Sequence, residues 1–114
     1  MDNKYLEYAT YFAALADEHR IHILTMLLDG ELFAGNILKE LDISQPTLSH
    51  HMKVLCESGI VSARKEGRWT YYSISEAGRD KVFDALIECT VDEEERKTFD
   101  AKRRTKRKTD IVLL

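Results

Sequence analysis

The sequence predicts a mainly α-helical fold with a small β-hairpin, in the element order α-α-α-α-β-β-α. Apolar residues recur at three- and four-residue steps in four successive segments, a pattern typical of amphipathic helices. Between residues 60 and 74 the pattern changes to β-branched and aromatic residues on both sides of a glycine. The chain has 114 residues, 44% hydrophobic and 32% charged, which predicts one compact domain rather than a disordered chain.

The first four helices are predicted from this periodicity and from the residues that begin and end them. They cover residues 3–16, 18–29, 34–41 and 45–57. Residues 42–44 form a three-residue break before the fourth helix. Ser44 is suited to cap that helix, and Pro46 lies in its first turn, where a missing N–H costs little. Ser58 and Gly59 end it.

The second half of the chain predicts a hairpin and then more helix. The two strands are expected over residues 60–65 and 68–74, joined at Glu66-Gly67, which is a turn signal. Ser75 is suited to cap a helix that runs to about Cys89. The residues Thr90-Val91-Asp92-Glu93 have the pattern of a capping box that opens a further helix. We therefore expect a core domain over residues 1–92 and a charged, basic extension over residues 93–114.

Several classes of protein are not expected. The first residues lack the charged-then-apolar layout of a secretory signal, and no apolar run approaches the roughly 20 residues of a membrane span. Two cysteines are too few for a disulfide framework. No glycine-rich phosphate loop is present, and no ordered Ser, His and Asp set suggests a hydrolase, so an enzyme is not expected. We expect a soluble, cytoplasmic domain without a cofactor.

The order of elements points to nucleic acid. Two short helices separated by three residues and followed by a hairpin form the order of a winged helix-turn-helix. In the fourth helix, Leu48, Met52 and Leu55 have the spacing of a packed face. The residues expected to be exposed are polar and suited to base edges and phosphates, namely Gln45, Thr47, Ser49, His50 and Lys53.

The hairpin supports this interpretation with charge. Arg64, Lys65 and Arg68 surround its turn and form a candidate wing for the DNA backbone. We therefore expect double-stranded DNA as the partner. Bases would be read by Gln45, Thr47, Ser49 and His50, and phosphates would be held by Ser44 and Lys53. The three wing cations would anchor the hairpin.

The net charge of −3 hides an uneven distribution. Residues 1–96 hold 10 Lys/Arg against 18 Asp/Glu, whereas residues 97–114 hold 7 against 2. The basic part, residues 97–108, could be an arm on DNA phosphates, a partner-binding tail or a solubilising extension. The arm is favoured slightly, because the remaining chain has few cations for a duplex.

Three segments carry a resemblance to a known family. Residues 12–24 (FAALADEHRIHIL), 41–55 (LDISQPTLSHHMKVL) and 67–74 (GRWTYYSI) resemble the corresponding segments of ArsR/SmtB-type repressors. The resemblance spans about residues 5–90. It implies a homodimeric repressor with the first and last core helices at the dimer interface. The two fourth helices of a dimer would enter successive major grooves, so we expect an inverted-repeat operator. The resemblance also implies an effector, often a metal ion, that releases the DNA.

The chain departs from that family at its metal ligands. The thiolate motif Glu-Leu-Cys-Val-Cys-Asp-Leu aligns with residues 31–37, and Phe33 and Gly35 stand where it has cysteines. No histidine follows His51, although the second familiar site needs one on the last helix. Asp80, Asp84 and Glu88 share one helix face, which is more often solvated than metal-bound. We therefore expect no metal site.

Other interpretations stay open. His19 and His22 have ligand-compatible spacing but no evident third ligand, and His51 is expected to pack and hydrogen-bond. Cys56 and Cys89 could make a thiol-redox switch, although two small buried side chains are the more ordinary interpretation. A winged-helix protein-interaction module is the remaining alternative. An unknown small-molecule or redox effector is compatible with all of these.

Overall fold

The computed structural model describes residues 3–101 and shows the predicted order of helices and strands. The helices are α1 (Lys4–Leu15), α2 (Glu18–Met26), α3 (Ala34–Glu40), α4 (Gln45–Ser58) and α5 (Glu76–Thr90). A short 3-10 turn, Leu27–Asp29, follows α2. The strands are β1 (Leu32–Phe33), β2 (Val61–Glu66) and β3 (Trp69–Ile74). The observed helices α1 to α4 each agree with prediction to within about one turn.

The helices begin where short polar side chains satisfy their first N–H groups. The carboxylate of Asp17 accepts from the N–H groups of His19 and Arg20 at the start of α2. Ser44 caps α4 as predicted, and Ser75 caps α5 by accepting from the N–H of Gly78 at 3.1 Å. These caps set the points at which the chain enters each helix.

The sheet has one strand more than the predicted hairpin. Its order is β1-β3-β2, with antiparallel pairing throughout. Strand β1 pairs Leu32 with Tyr72, and it has only two residues, too few for an alternating pattern to show in sequence. The turn is Gly67-Arg68 rather than Glu66-Gly67, because Glu66 pairs with Trp69. Gly67 has φ +63°, which fits the first position of a type II′ turn.

The core centres on α4, which contacts α1, α2 and β2. Its predicted row of Leu48, Met52 and Leu55 is buried, with at most 4% exposure. Ile23 from α2 and Ile37 from α3 are fully buried as well. Burying each such side chain contributes about 1.5–3 kcal/mol, so this row fixes the rotation of α4 about its axis.

The end of α4 and the start of α5 approach each other through glycines. Gly59 ends α4 with φ +88°, a conformation that side-chain-bearing residues rarely adopt. A Cβ placed at Gly78 would overlap the backbone carbonyl of Gly59. The chain therefore requires glycine at position 78 for close packing of backbone on backbone.

The chain divides into two compact units between Val82 and Phe83. In the second unit, Ala85 and Ile87 are buried, and a further helix covers residues 93–101. The predicted capping box is wrong: Thr90 belongs to α5, and Asp92 caps the next helix by accepting from the N–H of Glu95 at 2.9 Å. Residues 102–108 of the basic segment lie outside the described residues. Within residues 3–101, no helix has both the length and the apolar character needed to cross a membrane.

Candidate nucleic-acid interface

The candidate interface starts at the capped N-terminus of α4. The hydroxyl oxygen of Ser44 accepts from the N–H of Thr47 at 3.3 Å, and the two hydroxyl groups are 2.8 Å apart. Pro46 lies in the first turn, where its missing N–H removes no helical hydrogen bond. Gln45 and Thr47 are exposed here, as predicted.

The two faces of α4 separate as the sequence predicts. Opposite the buried row, Ser49, His50 and Lys53 are exposed. The Lys53 ammonium lies 4.0 Å from the Glu57 carboxylate, and both side chains are more than 60% exposed. Such a solvated pair is weak, so Lys53 can exchange Glu57 for a phosphate at little cost.

His51 fixes α4 to the α1–α2 corner. His51 is 6% exposed as a residue, and its Nδ1 lies 3.0 Å from Nη1 of Arg20. Arg20 also donates to the carbonyls of Ala14 at 2.8 Å and Ala13 at 3.3 Å, at the end of α1. One guanidinium therefore joins α1, α2 and α4. The expectation that His51 packs and hydrogen-bonds is confirmed.

The electrostatics of this corner require a neutral His51. Burial of the ring lowers the pKa of His51, and the attraction of Asp17, 3.9 Å away, only partly opposes it. Arg20 can only donate, so the His51 Nδ1 accepts and its proton lies on Nε2. Burial acts to raise the pKa of Asp17, but the N–H groups of Arg20 and His19 outweigh it and the net shift is downward.

The three predicted cations of the wing differ in the partners that surround them. Lys65 and Arg68 are exposed beside the turn, and the Arg68 guanidinium stacks over the Trp69 ring at 5.2 Å. Arg64 differs from both of them.

Arg64 is held by two carboxylates. Its guanidinium donates to both oxygens of Glu31, at 2.7 and 3.1 Å, and to Glu66 at 2.8 Å. It also lies over the Tyr71 ring, 4.6 Å from the centroid. The hydrogen bonds from Glu31 and Glu66 raise the pKa of Arg64. The sequence predicts Arg64 as a wing cation but gives no sign of its pairing with Glu31. The two residues are 33 positions apart, so no short sequence pattern contains both.

In the segment aligned with the family's thiolate motif, Phe33 packs against aromatic side chains of β3. The Phe33 ring packs edge-on against Trp69, with centroids 4.8 Å apart, and lies 5.8 Å from Tyr71. A Cβ at Gly35 would lie 2.5 Å from the Phe33 ring, so the glycine makes room for that ring. This contact supplies no metal-binding atom. Across residues 3–101, no three His, Cys, Asp or Glu side chains converge as a metal site requires.

The cysteines give little support to a redox switch. Burial raises the pKa of the Cys56 thiol, and the charge of Glu57 adds to the effect. A raised pKa disfavours the reactive thiolate. Cys56 is half-buried and Cys89 is exposed, so the expectation of two buried cysteines is wrong. Both thiols are free.

Comparison with known proteins agrees with this geometry. The profile of a family described as bacterial regulatory protein, arsR family, matches residues 17–63. The arsenical resistance operon repressor of Staphylococcus aureus is 40% identical over 82 residues, covering 72% of this chain and 79% of the relative. The transcriptional repressor SdpR of Bacillus subtilis is 36% identical over 64 residues, covering 56% and 71%.

Solved structures show the same likeness. An ArsR-like transcriptional regulator from Rhodococcus sp. RHA1 superimposes with a TM-score of 0.66, at 30% identity and 96% coverage of both chains. At this level of similarity the two chains share one fold. The chain belongs to the ArsR family of DNA-binding bacterial transcription regulators.

Proposed function

We propose that the protein is a transcriptional repressor that binds an inverted-repeat operator as a homodimer. The observation that carries the proposal is the geometry of α4. Its polar face is exposed from a capped N-terminus onward, while the opposite face is locked into the core and joined to Arg20. A helix held in this way can enter a major groove and direct its first two turns at base edges.

The proposed contacts follow from exposure and existing partners. Base edges are read by the exposed side chains of Gln45, Thr47, Ser49 and His50. Lys53 binds a phosphate by exchanging its weak pair with Glu57. Ser44 acts through the helix N-terminus that it caps, since the partial positive charge there attracts phosphate.

Two wing cations carry the phosphate contacts of the hairpin in this proposal. Lys65 and Arg68 are exposed and have no carboxylate partner among residues 3–101. Arg64 instead positions the wing, because Glu31 and Glu66 already neutralise its charge. The wing and α4 both lie in the first compact unit, so one folded body carries both sets of proposed DNA contacts.

A homodimer is proposed because apolar side chains remain exposed on two helices. On α1, Tyr5 and Leu6 are 69% and 68% exposed. On α5, Phe83 and Leu86 are 38% and 47% exposed. Large apolar side chains grouped on helices mark association surfaces. Two copies would also double the DNA contact, which single small modules need for tight binding at cellular salt.

DNA binding is tested by fluorescence anisotropy on duplex from upstream of the protein's own gene, with random duplex as competitor. We expect binding about 10³-fold or more tighter to the specific duplex. Ser49→Ala and His50→Ala should each cost about 1–3 kcal/mol of specific binding. His22→Ala, an exposed histidine on α2, is the matched control and should have no effect. Insensitivity to both α4 substitutions would favour a protein-interaction module.

Dimerisation is tested separately by analytical ultracentrifugation. Leu6→Glu and Leu86→Glu are expected to shift the protein toward monomer, because a buried charge opposes apolar association. Leu28→Glu is the control, since Leu28 is 73% exposed but lies on the 3-10 turn instead of α1 or α5. A monomeric wild-type protein at micromolar concentration, or loss of dimer only in the control, contradicts the homodimer.

The proposal assigns no metal effector to the aromatic segment around Phe33. An aromatic ring and a glycine offer no ligand to a soft cation at the two positions that the thiolate motif would use. Operator affinity should therefore be unchanged by arsenite or Zn²⁺ in the anisotropy assay. Release of DNA by either would contradict this part of the proposal. A regulator of this kind acts on chromosomal DNA, and so we place it in the cytoplasm.

A further inference from the structure

A cavity of about 340 Å³ lies between α3, the first turns of α4 and strand β3. Its apolar side is formed by Leu38, Leu48 and Met52, of which the last two are core residues. Small-molecule sites in proteins begin at about 300 Å³ and are lined mainly by apolar side chains. The cavity therefore has the size and the lining of a site for a small organic molecule.

One wall of the cavity is aromatic. Phe33 and Trp69 pack edge to face at 4.8 Å, and Tyr72 lines the cavity beside them. Glycine at position 35 leaves room for this pair, because a Cβ there would lie 2.5 Å from the Phe33 ring. Such a wall can stack against a planar ring, an arrangement worth about 0.5–1.5 kcal/mol beyond area burial.

The charge at the cavity has one sign. Arg68 is the sole charged residue among the described residues that line it, and no Asp or Glu lines it. Arg68 stacks on Trp69 and has no carboxylate partner within residues 3–101, in contrast to Arg64 with its two. Because the Arg68 guanidinium has no carboxylate partner, it is available to a ligand carboxylate, which it can bind through two parallel hydrogen bonds.

We propose that this cavity binds a small organic carboxylate with an aromatic body, which pairs with Arg68 and stacks on Trp69. The apolar side favours such a molecule over a DNA phosphate, because a sugar-phosphate backbone gains nothing from Leu38, Leu48 and Met52. Gln45 and Ser49 also line the cavity. An occupied cavity therefore covers two side chains proposed to read bases, and the ligand releases the operator. This second step rests on the proposed function; the binding step does not.

Binding is tested on the full chain without DNA, through the fluorescence of Trp69, the one tryptophan of the sequence. Benzoate, phenylacetate and 1-naphthoate are titrated beside their neutral amides, and inorganic phosphate is titrated separately. We expect a saturable change with at least one acid below about 10 mM, and about tenfold weaker binding of its amide. Saturation by no acid, equal affinity for acid and amide, or a response to phosphate alone would overturn the site.

Two variants locate the binding. Arg68→Gln should weaken the acid about tenfold and leave the amide unchanged, because only the acid uses the guanidinium. Lys39→Gln is the control: Lys39 is an exposed cation on α3 beside Leu38 and does not line the cavity. Equal loss in both variants would overturn the assignment to Arg68. Circular dichroism confirms that each variant is folded.

The regulatory step is tested in a second arm, with the acid that binds most tightly. Adding it at ten times its Kd should raise the apparent Kd for operator duplex about tenfold if the two ligands exclude each other. Unchanged operator affinity would overturn the release step while leaving the site in place. Failure of the proposed function is distinct, since the protein would then bind no operator and the fluorescence arm would still report the acid.

Discussion

Replacing Arg20 with methionine should lower the free energy of unfolding by about 2.5–4 kcal/mol. Methionine keeps much of the apolar stem and removes the guanidinium, which joins three helices through the His51 ring and two carbonyls. The variant therefore isolates the hydrogen bonds from the packing of the stem. Arg20 was not singled out by sequence reasoning, so its role rests on the tertiary structure alone.

The magnitude follows from the three acceptors. The bond to the buried His51 Nδ1 is charge-assisted and part-buried, and losing it leaves that nitrogen unsatisfied, at about 1.5–3 kcal/mol. The bond to the part-buried Ala14 carbonyl contributes about 1 kcal/mol. The bond to Ala13 is exposed, and water can replace it. Together they give the stated range.

Urea denaturation followed by circular dichroism measures this loss as a shift in midpoint with an unchanged slope. Arg79→Met is the matched control, because Arg79 is an exposed arginine with solvated partners at 3.3 and 3.7 Å. It should change stability by no more than about 0.5 kcal/mol. A loss below about 1 kcal/mol in Arg20→Met, or an equal loss in the control, would refute the reasoning.

Three further outcomes are expected. Burial lowers the pKa of His51 in the folded state, so the unfolded chain binds more protons once the pH drops below about 6.5. The free energy of unfolding should therefore decrease as the pH is lowered from about 6.5 through the folded-state pKa. Urea midpoints between pH 7.5 and 5 should fall less in His51→Gln. Gly78→Ala should cost at least about 1–3 kcal/mol in the same assay, since its Cβ meets the Gly59 carbonyl and backbone must move. Arg68→Gln should reduce the salt dependence of operator binding by about one phosphate contact, and Arg64→Gln by less. Equal slopes in these two variants would contradict the different states assigned to them.

Most of the fold could be predicted from short sequence patterns. The cap at Ser44, the buried row of α4 and the hairpin, whose turn lies one residue later than predicted, each depend on residues within a few positions of one another. Their physical basis is helical periodicity, capping and turn chemistry, all of which are visible in a short window. The same periodicity separated the exposed polar face of α4 from its core face. The capping box at Thr90 failed because Asp92 offers a competing cap two residues later.

The sequence by itself thus determined the order of elements and which side chains α4 exposes. Which strands pair and which distant side chains contact each other were decided by the tertiary structure alone. Strand β1 forms only because β3 offers it an edge, and Arg64 gains its second carboxylate partner, Glu31, from 33 residues away. Arg20 reaches His51 across 31 residues in the same manner. Residue pairs this far apart in the sequence produce no periodic pattern in it, because their spacing depends on how whole elements pack.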